Sequence, residues 1–160
     1  LKTHHPAIRR VDVESAAQMY EVTSREFANS DVAVLSAAVA DFTPKEKADH
    51  KIKRGKDDLV LELLPTKDIA AELGKMKNAS QLLVGFALET NDEEVNALSK
   101  MQRKNLDMIV LNSLNDKGAG FGVDTNKVTI MDKAGNRTVY ELKTKLEVAK
   151  DIVDQIASRL

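Results

Sequence analysis

A chain of 160 residues with 24 Lys+Arg, 25 Asp+Glu and a formal net charge of -1 has no bulk electrostatic drive toward nucleic acid or an acidic membrane. Its 42% hydrophobic and 31% charged residues are those of one globular domain with a single core, and exclude a disordered tail. The absence of Cys excludes disulfides, a thiol nucleophile and thiolate metal sites. No apolar run approaches the roughly 18 residues that span a bilayer, and no signal peptide is visible, so the cytoplasm is the expected compartment. The chain opens at Leu1, without an initiator Met, in loop-like sequence, and reads as a piece of something longer.

Helix-period and strand-like segments alternate along the chain. Val13, Ala16, Ala17, Tyr20, Thr23 and Phe27 recur at three and four, predicting a helix over Asp12 to Ala28. Val32 to Leu35 is a short apolar run of the kind buried on both faces of a parallel sheet. Leu59 to Leu64 reads as another strand, followed by a helix from Asp68 to about Met76. Gln81 to Phe86 is the next buried strand. Asn91, with Glu94 three residues on, is the expected cap of a helix that turns Val95, Leu98 and Met101 inward. Asp107 to Asn112 is a third core strand. A Gly-rich loop at Lys117 to Val123 matches no phosphate-binding pattern and is assigned no such role. Lys127 to Met131, a turn at Asp132 to Asn136, and Arg137 to Leu142 read as a hairpin. Thr144 and Glu147 form a capping-box pair opening a last helix through Leu146, Ala149, Ile152, Val153 and Ile156.

This order predicts an α/β fold: a Rossmann-like, doubly wound, mainly parallel sheet with an antiparallel hairpin extension. Ligands of such sheets bind outside the carboxyl ends of the strands. After the first strand stand Ala37-Ala38-Val39-Ala40-Asp41-Phe42, where small residues permit close approach to the backbone. Asp41 there suits a ribose hydroxyl or a phosphate-bound Mg²⁺; alternatively the alanines serve packing and Asp41 only starts a loop. The segment Thr43 to Asp58 holds six basic residues, Lys45, Lys47, Lys51, Lys53, Arg54 and Lys56, and reads as a lid over an anion or as a solvated charge run. Lys51-Ile52-Lys53 is its most strand-like part and the expected place of the functional lysine. Phe86 suits stacking on a base or a place in the core. Lys100 and Lys104 share one helix face with no carboxylate spaced to pair them along the helix, which suits phosphate or a solvated face. Pro65 to Ala70 leads into a helix whose first amides suit an anion or a base edge. His4, His5 and His50 lack metal-ligand spacing, and no Ser-His-Asp arrangement is present.

These segments together resemble the carboxyl-terminal part of the phosphopantothenate–cysteine ligase family, which in bacteria is usually fused to a phosphopantothenoylcysteine decarboxylase. The resemblance is carried by Ala37 to Phe42, Lys51-Ile52-Lys53-Arg54, Gly85 to Thr90 and Lys104-Asn105-Leu106-Asp107. Arg10 to Val13, Gly120-Phe121, Asp124 and Asn126 extend it in one order over nearly the whole chain. It implies coenzyme A biosynthesis by CTP-dependent ligation of 4′-phosphopantothenate to cysteine through an acyl-cytidylate, with release of pyrophosphate and CMP. It also implies Mg²⁺, a cytoplasmic homodimer whose hairpin region is a plausible contact, and FMN only where a decarboxylase is fused. No nucleic acid or membrane partner is expected.

Position by position, the resemblance makes Ala37, Asp41, Lys51, Lys67, Asp68, Ile69, Ala70, Phe86, Lys100 and Lys104 the nucleotide-binding set. Asp41 is the candidate metal ligand, and Lys51 the catalytic lid lysine of the second half-reaction. The usual Asn-Pro-Asp-Ile reads Thr66-Lys67-Asp68-Ile69 here, which favours backbone contacts over side-chain ones. The family's opening strand, Gly-rich loop and helix are absent, so residues 1–160 are expected to be a single ligase domain lacking them and inactive alone. A non-catalytic nucleotide-binding module is the alternative, and an assembly domain with a basic loop for an acidic partner is a third.

Overall fold

A computed structural model describes residues 5–54, 58–89, 91–113 and 122–160. The basic-loop residue Lys56, the Gly-rich loop up to Phe121, and His4 lie outside the described residues. Helix α1 spans Ala16–Phe27, four residues later than the periodicity predicts. Ser15 sets this start: its side chain accepts from the Gln18 amide, and Gln18 Oε1 accepts from the Ser15 amide at 3.2 Å. Val13 therefore lies ahead of the helix.

Strand β1 (Val32–Leu35) follows, then β2 (Phe42–Pro44) and β3 (Leu63–Pro65). The strand expected over Leu59 to Leu64 shrinks to this three-residue piece, and it joins no large sheet. It pairs antiparallel with β2 alone, Phe42 opposite Pro65. Leu59 to Leu61 run alongside no neighbour strand and stay exposed, because an apolar run without a facing helix has nothing to bury against. Likewise Lys51 to Lys53 form no strand.

Helix α2 (Ile69–Met76) is capped by Asp68, whose side chain accepts from the Ala71 amide. Strand β4 (Leu82–Glu89), helix α3 (Glu93–Arg103) and strand β5 (Met108–Ser113) complete two parallel crossovers, β1 pairing with β4 and β4 with β5. The cap of α3 is Asp92 at φ 45, not Asn91, and it makes no side-chain cap bond. Glu94 instead accepts from Arg137 Nε at 3.0 Å. Ala97 and Met101 of the helix are buried, whereas Val95 and Leu98 face outward.

After β6 (Thr125–Asn126), β7 (Val128–Asp132) lies antiparallel to β5, and β8 (Arg137–Val139) closes the expected hairpin. Gly135, at φ +88, supplies the left-handed residue that its turn requires. β9 (Lys143–Thr144) pairs with β6 and runs into α4 (Lys145–Ala157), opened by the predicted Thr144–Glu147 capping box. Of its predicted apolar positions only Ile152 and Ile156 are buried, joined by Val148; Leu146 is 81% exposed and Val153 59% exposed. One helix can press only one stripe on a sheet, and the 148/152/156 stripe is the one that meets it.

The five-stranded sheet runs β1-β4-β5-β7-β8, mostly parallel with an antiparallel extension, as the sequence predicts. Its side chains alternate cleanly. Leu83, Ala87, Ile109 and Leu111 pack with α1, α2 and α3 on one face, while Val84, Met108, Val110 and Ile130 pack with α4 on the other. No helix of the described residues is long and apolar enough to cross a membrane.

Two polar clusters brace the sheet away from the strand ends that matter for function. Lys77 Nζ, 7% exposed, donates to both carboxylate oxygens of Asp107 at 2.5 and 2.6 Å, and Asp107 also accepts from the Leu83 amide at 2.7 Å. At the hairpin, burial would raise the Asp132 carboxyl, but Arg159 and two bonds from Asn136 outweigh it and hold the group at about 2. A carboxyl depressed below its unfolded value of 3.8 contributes stability above that value and loses it as the pH falls toward 2. Acid titration of the folded chain is therefore expected to show a loss of stability between about pH 4 and pH 2 that Asp132→Asn reduces. An Asp132→Asn chain with an unchanged acid profile would contradict this.

Candidate functional site

A cleft of about 410 Å³ opens at the carboxyl end of β1, beside the middle of β4. β1 contributes Ala33 to Leu35 and β4 contributes Gly85 and Phe86. One wall is the segment after β1, with Ser36, Ala37 and Val39 to Asp41; a second is Thr66 to Ala70, entering α2. Thr66 joins these two walls: its Oγ1 donates to the Ala40 carbonyl at 2.6 Å and its amide donates to the Asp41 carbonyl at 2.8 Å. Lys100 of α3, Lys104 at the C-cap of α3, and Met19 and Thr23 of α1 complete the lining.

The structure thus brings together Ala37, Asp41, Lys67, Asp68, Ile69, Ala70, Phe86, Lys100 and Lys104 from four separated segments. It does not bring Lys51 to them. That side chain is exposed on the excursion between β2 and β3, whose two stems leave from the cleft rim at Asp41 and Thr66. Lys45 holds those stems in register, its amide donating to the Glu62 carbonyl at 2.9 Å and its Nζ to Glu62 Oε1 at 2.8 Å.

The two helix lysines are not the unpaired cations that their spacing along α3 suggests. Lys104 Nζ donates to Asp68 Oδ1 at 3.0 Å and lies 2.9 Å from Oδ2. Lys100 Nζ donates to Glu89 Oε1 at 3.0 Å. Both partners come from other elements, where spacing along α3 carries no signal. For Asp68, burial opposes ionisation, but Lys104 and the Ala71 amide outweigh it and lower the carboxyl below its ordinary value. Lys67 Nζ stands 4.1 Å from the centroid of the Tyr20 ring, a cation–π contact that seats it on α1 at the mouth of the cleft.

Residues that the sequence does not single out also shape the site. Met19 and Thr23 look like core positions of an amphipathic helix, yet they line the cleft because α1 overhangs the end of β1. Gly85 carries a readable signal, a glycine inside a buried strand. A Cβ there would stand 2.6 Å from Leu106 Cδ1. Among the described residues no group of three His, Cys, Asp or Glu side chains gathers that could hold a metal ion. A Mg²⁺ bound here fits only as one that arrives with phosphate oxygens and borrows a carboxylate such as Asp41.

The family model for the DNA/pantothenate metabolism flavoprotein C-terminal domain matches residues 1–160. The chain belongs to this family. Flavoprotein carboxyl-terminal relatives include the coenzyme A biosynthesis bifunctional protein CoaBC of Bacillus subtilis (strain 168), 47% identical over 148 residues. That match covers 92% of this chain and 36% of the relative. A cysteine/cysteine sulfinic acid decarboxylase from an unknown prokaryotic organism is 62% identical over 149 residues, covering 93% of this chain and 42% of that one. The crystal structure of the C-terminal domain of a CoaBC protein superposes with a TM-score of 0.74 at 40% identity, covering 91% of this chain and 63% of that one. The resemblance read from the sequence is borne out, and so is the Rossmann-like fold. The chain spans about two fifths of the length of these curated relatives.

Proposed function

We propose that this domain is the phosphopantothenate–cysteine ligase portion of a longer coenzyme A biosynthesis protein, and that its cleft binds CTP. The observation that supports this reading is the convergence of Lys100, Lys104, the start of α2, Phe86 and Asp41 on one cleft at the carboxyl end of β1, beside the middle of β4. Relatives named for coenzyme A biosynthesis add weight. The decarboxylase name of another relative belongs to a protein of which the match spans 42%, and no feature of this cleft favours that chemistry.

In this reading the carboxylate oxygen of 4′-phosphopantothenate attacks the α-phosphorus of CTP. The bond from that phosphorus to the β-phosphate bridging oxygen breaks, and pyrophosphate leaves. The cysteine amine then attacks the acyl carbon, loses a proton, and the acyl–oxygen bond to CMP breaks. Lys100 and Lys104 hold phosphate charge, Phe86 offers a face for the base or ribose, and the first turn of α2 meets polar edges of the nucleotide. Ala37 keeps the wall low enough for the ligand to approach the backbone. Mg²⁺, when bound with the triphosphate, neutralises further charge on it. Any flavin belongs to a fused decarboxylase segment and not to this cleft. The cytoplasm and a homodimer remain part of the proposal.

On the family resemblance we assign Lys51 to the second half-reaction; the described stems of the excursion that carries it leave from the cleft rim at Asp41 and Thr66. In the full-length protein, Lys51→Gln is expected to lower phosphopantothenoylcysteine formation about a hundredfold while leaving most acyl-cytidylate formation. Single-turnover measurement of pyrophosphate and amide product separates the two steps. Equal loss of both would remove Lys51 from the second step, and a wild-type protein that releases no CTP-dependent pyrophosphate would remove the ligase reading.

A further inference from the structure

Lys104 is held at both oxygens of Asp68, at 3.0 and 2.9 Å, on the wall of the cleft that it serves. The pair is lopsided. Lys104 has only 18% of its side chain exposed, whereas Asp68 keeps 48% of its side chain in solvent. Asp68 has a second partner, since Oδ1 also accepts from the Ala71 amide at 3.1 Å as the cap of α2. If an anionic group took Lys104, the carboxylate would keep its cap bond and its water. The other pair differs. Glu89 has 19% of its side chain exposed and Lys100 29%. Releasing Glu89 would leave a carboxylate at that depth without its cation, a costlier exchange.

We infer that Asp68 is an internal counter-ion that competes with the ligand's phosphate for Lys104, so that anion binding to this cleft is an exchange of one negative partner for another. The inference rests on the cleft taking a polyphosphate, as proposed above. It assigns Asp68 a role opposed in sign to that of a binding residue: its charge weakens phosphate affinity, while its capping oxygen holds α2 in place. The consequence is selectivity by charge density. A monoanion repays the lost Asp68 contact poorly, and a di- or triphosphate repays it well.

Asn and Ser are neutral caps, so Asp68→Asn and Asp68→Ser keep the end of α2 closed and remove only the competing charge. Calorimetric titration of the protein with inorganic pyrophosphate is expected to show binding about threefold or more tighter in both variants than in wild type. Lys104→Gln should weaken binding, and in the Lys104→Gln background the gain from Asp68→Asn should disappear, because no cation is left to compete for. Weaker or unchanged binding in both Asp68 variants would overturn the inference, and so would a gain that persists without Lys104. Failure of the ligase reading looks different: pyrophosphate binds with the predicted pattern, yet no CTP-dependent turnover occurs. Absence of pyrophosphate binding in every variant would overturn the inference, while the ligase reading stands or falls on CTP-dependent turnover.

Discussion

Gly74→Ala is expected to destabilise the chain by about 3 kcal/mol, the upper end of what overpacking costs. The reason lies at the crossing of α2 with the turn between α3 and β5. A Cβ on Gly74 would fall 1.9 Å from the Lys104 carbonyl oxygen and 2.9 Å from its carbonyl carbon. These are backbone atoms, so no side chain can swing aside, and one of the two segments must move. The turn is itself fixed. Asn105 sits at φ 53, donates from Nδ2 to the Gly74 carbonyl at 2.6 Å, and accepts from Lys133 Nζ at 2.6 Å. Lys77 Nζ reaches the Asn105 carbonyl at 3.1 Å, adding a second tie between α2 and the turn. Urea denaturation of the wild-type and Gly74→Ala chains checks this. A difference below about 1 kcal/mol would mean that the crossing is looser than these distances require. Gly85→Ala meets only the tip of Leu106 and should cost less.

Lys104→Gln is the second large effect. Lys104 precedes the fixed residue Asn105, so the same crossing that makes Gly74 indispensable aims Lys104 at the cleft. Removing one preorganised cation from a phosphate site is expected to lower CTP-dependent pyrophosphate release about a hundredfold. The fold should survive, because among the described residues Lys104 Nζ bonds only Asp68, and that carboxylate keeps its cap on Ala71. Unchanged turnover in a folded Lys104→Gln protein would place the triphosphate elsewhere.

The reading of the fold from sequence succeeds where local signals and burial agree. β4, β5 and β7 are apolar runs at the centre of the core, and β1 stands at its expected place as an edge strand with Val34 exposed, where burial on both faces was expected; β4 runs three residues past its expected end. The Thr144 cap fixes α4 in the same way. It fails where the deciding partner is remote. In α3 the cap moves to Asp92, Glu94 pairs with Arg137, 43 residues away, and the buried stripe is Ala97 and Met101. The run at Leu59 to Leu64 has strand composition, but only β2 is available to pair with it.

The candidate site divides along the same line. Asp41 and the start of α2 follow strands, as chain order predicts, and the structure gathers them with Phe86 of mid-β4 and with Lys100 and Lys104. Their electrostatics were hidden in the sequence: the counter-ions of both lysines come from β4 and the α2 cap. Lys51 shows the reverse. Its basic loop is obvious in sequence, while its exposed side chain lies apart from the cleft.

Calorimetric titration of the protein with CTP, ATP and GTP, beside Lys104→Gln, decides the proposal that this cleft binds a cytidine nucleotide through Lys104 and the start of α2. Saturable binding of one CTP per chain is expected, preferred over ATP and GTP and weakened about tenfold or more by Lys104→Gln. No nucleotide binding, or CTP binding that Lys104→Gln leaves unchanged, would contradict it.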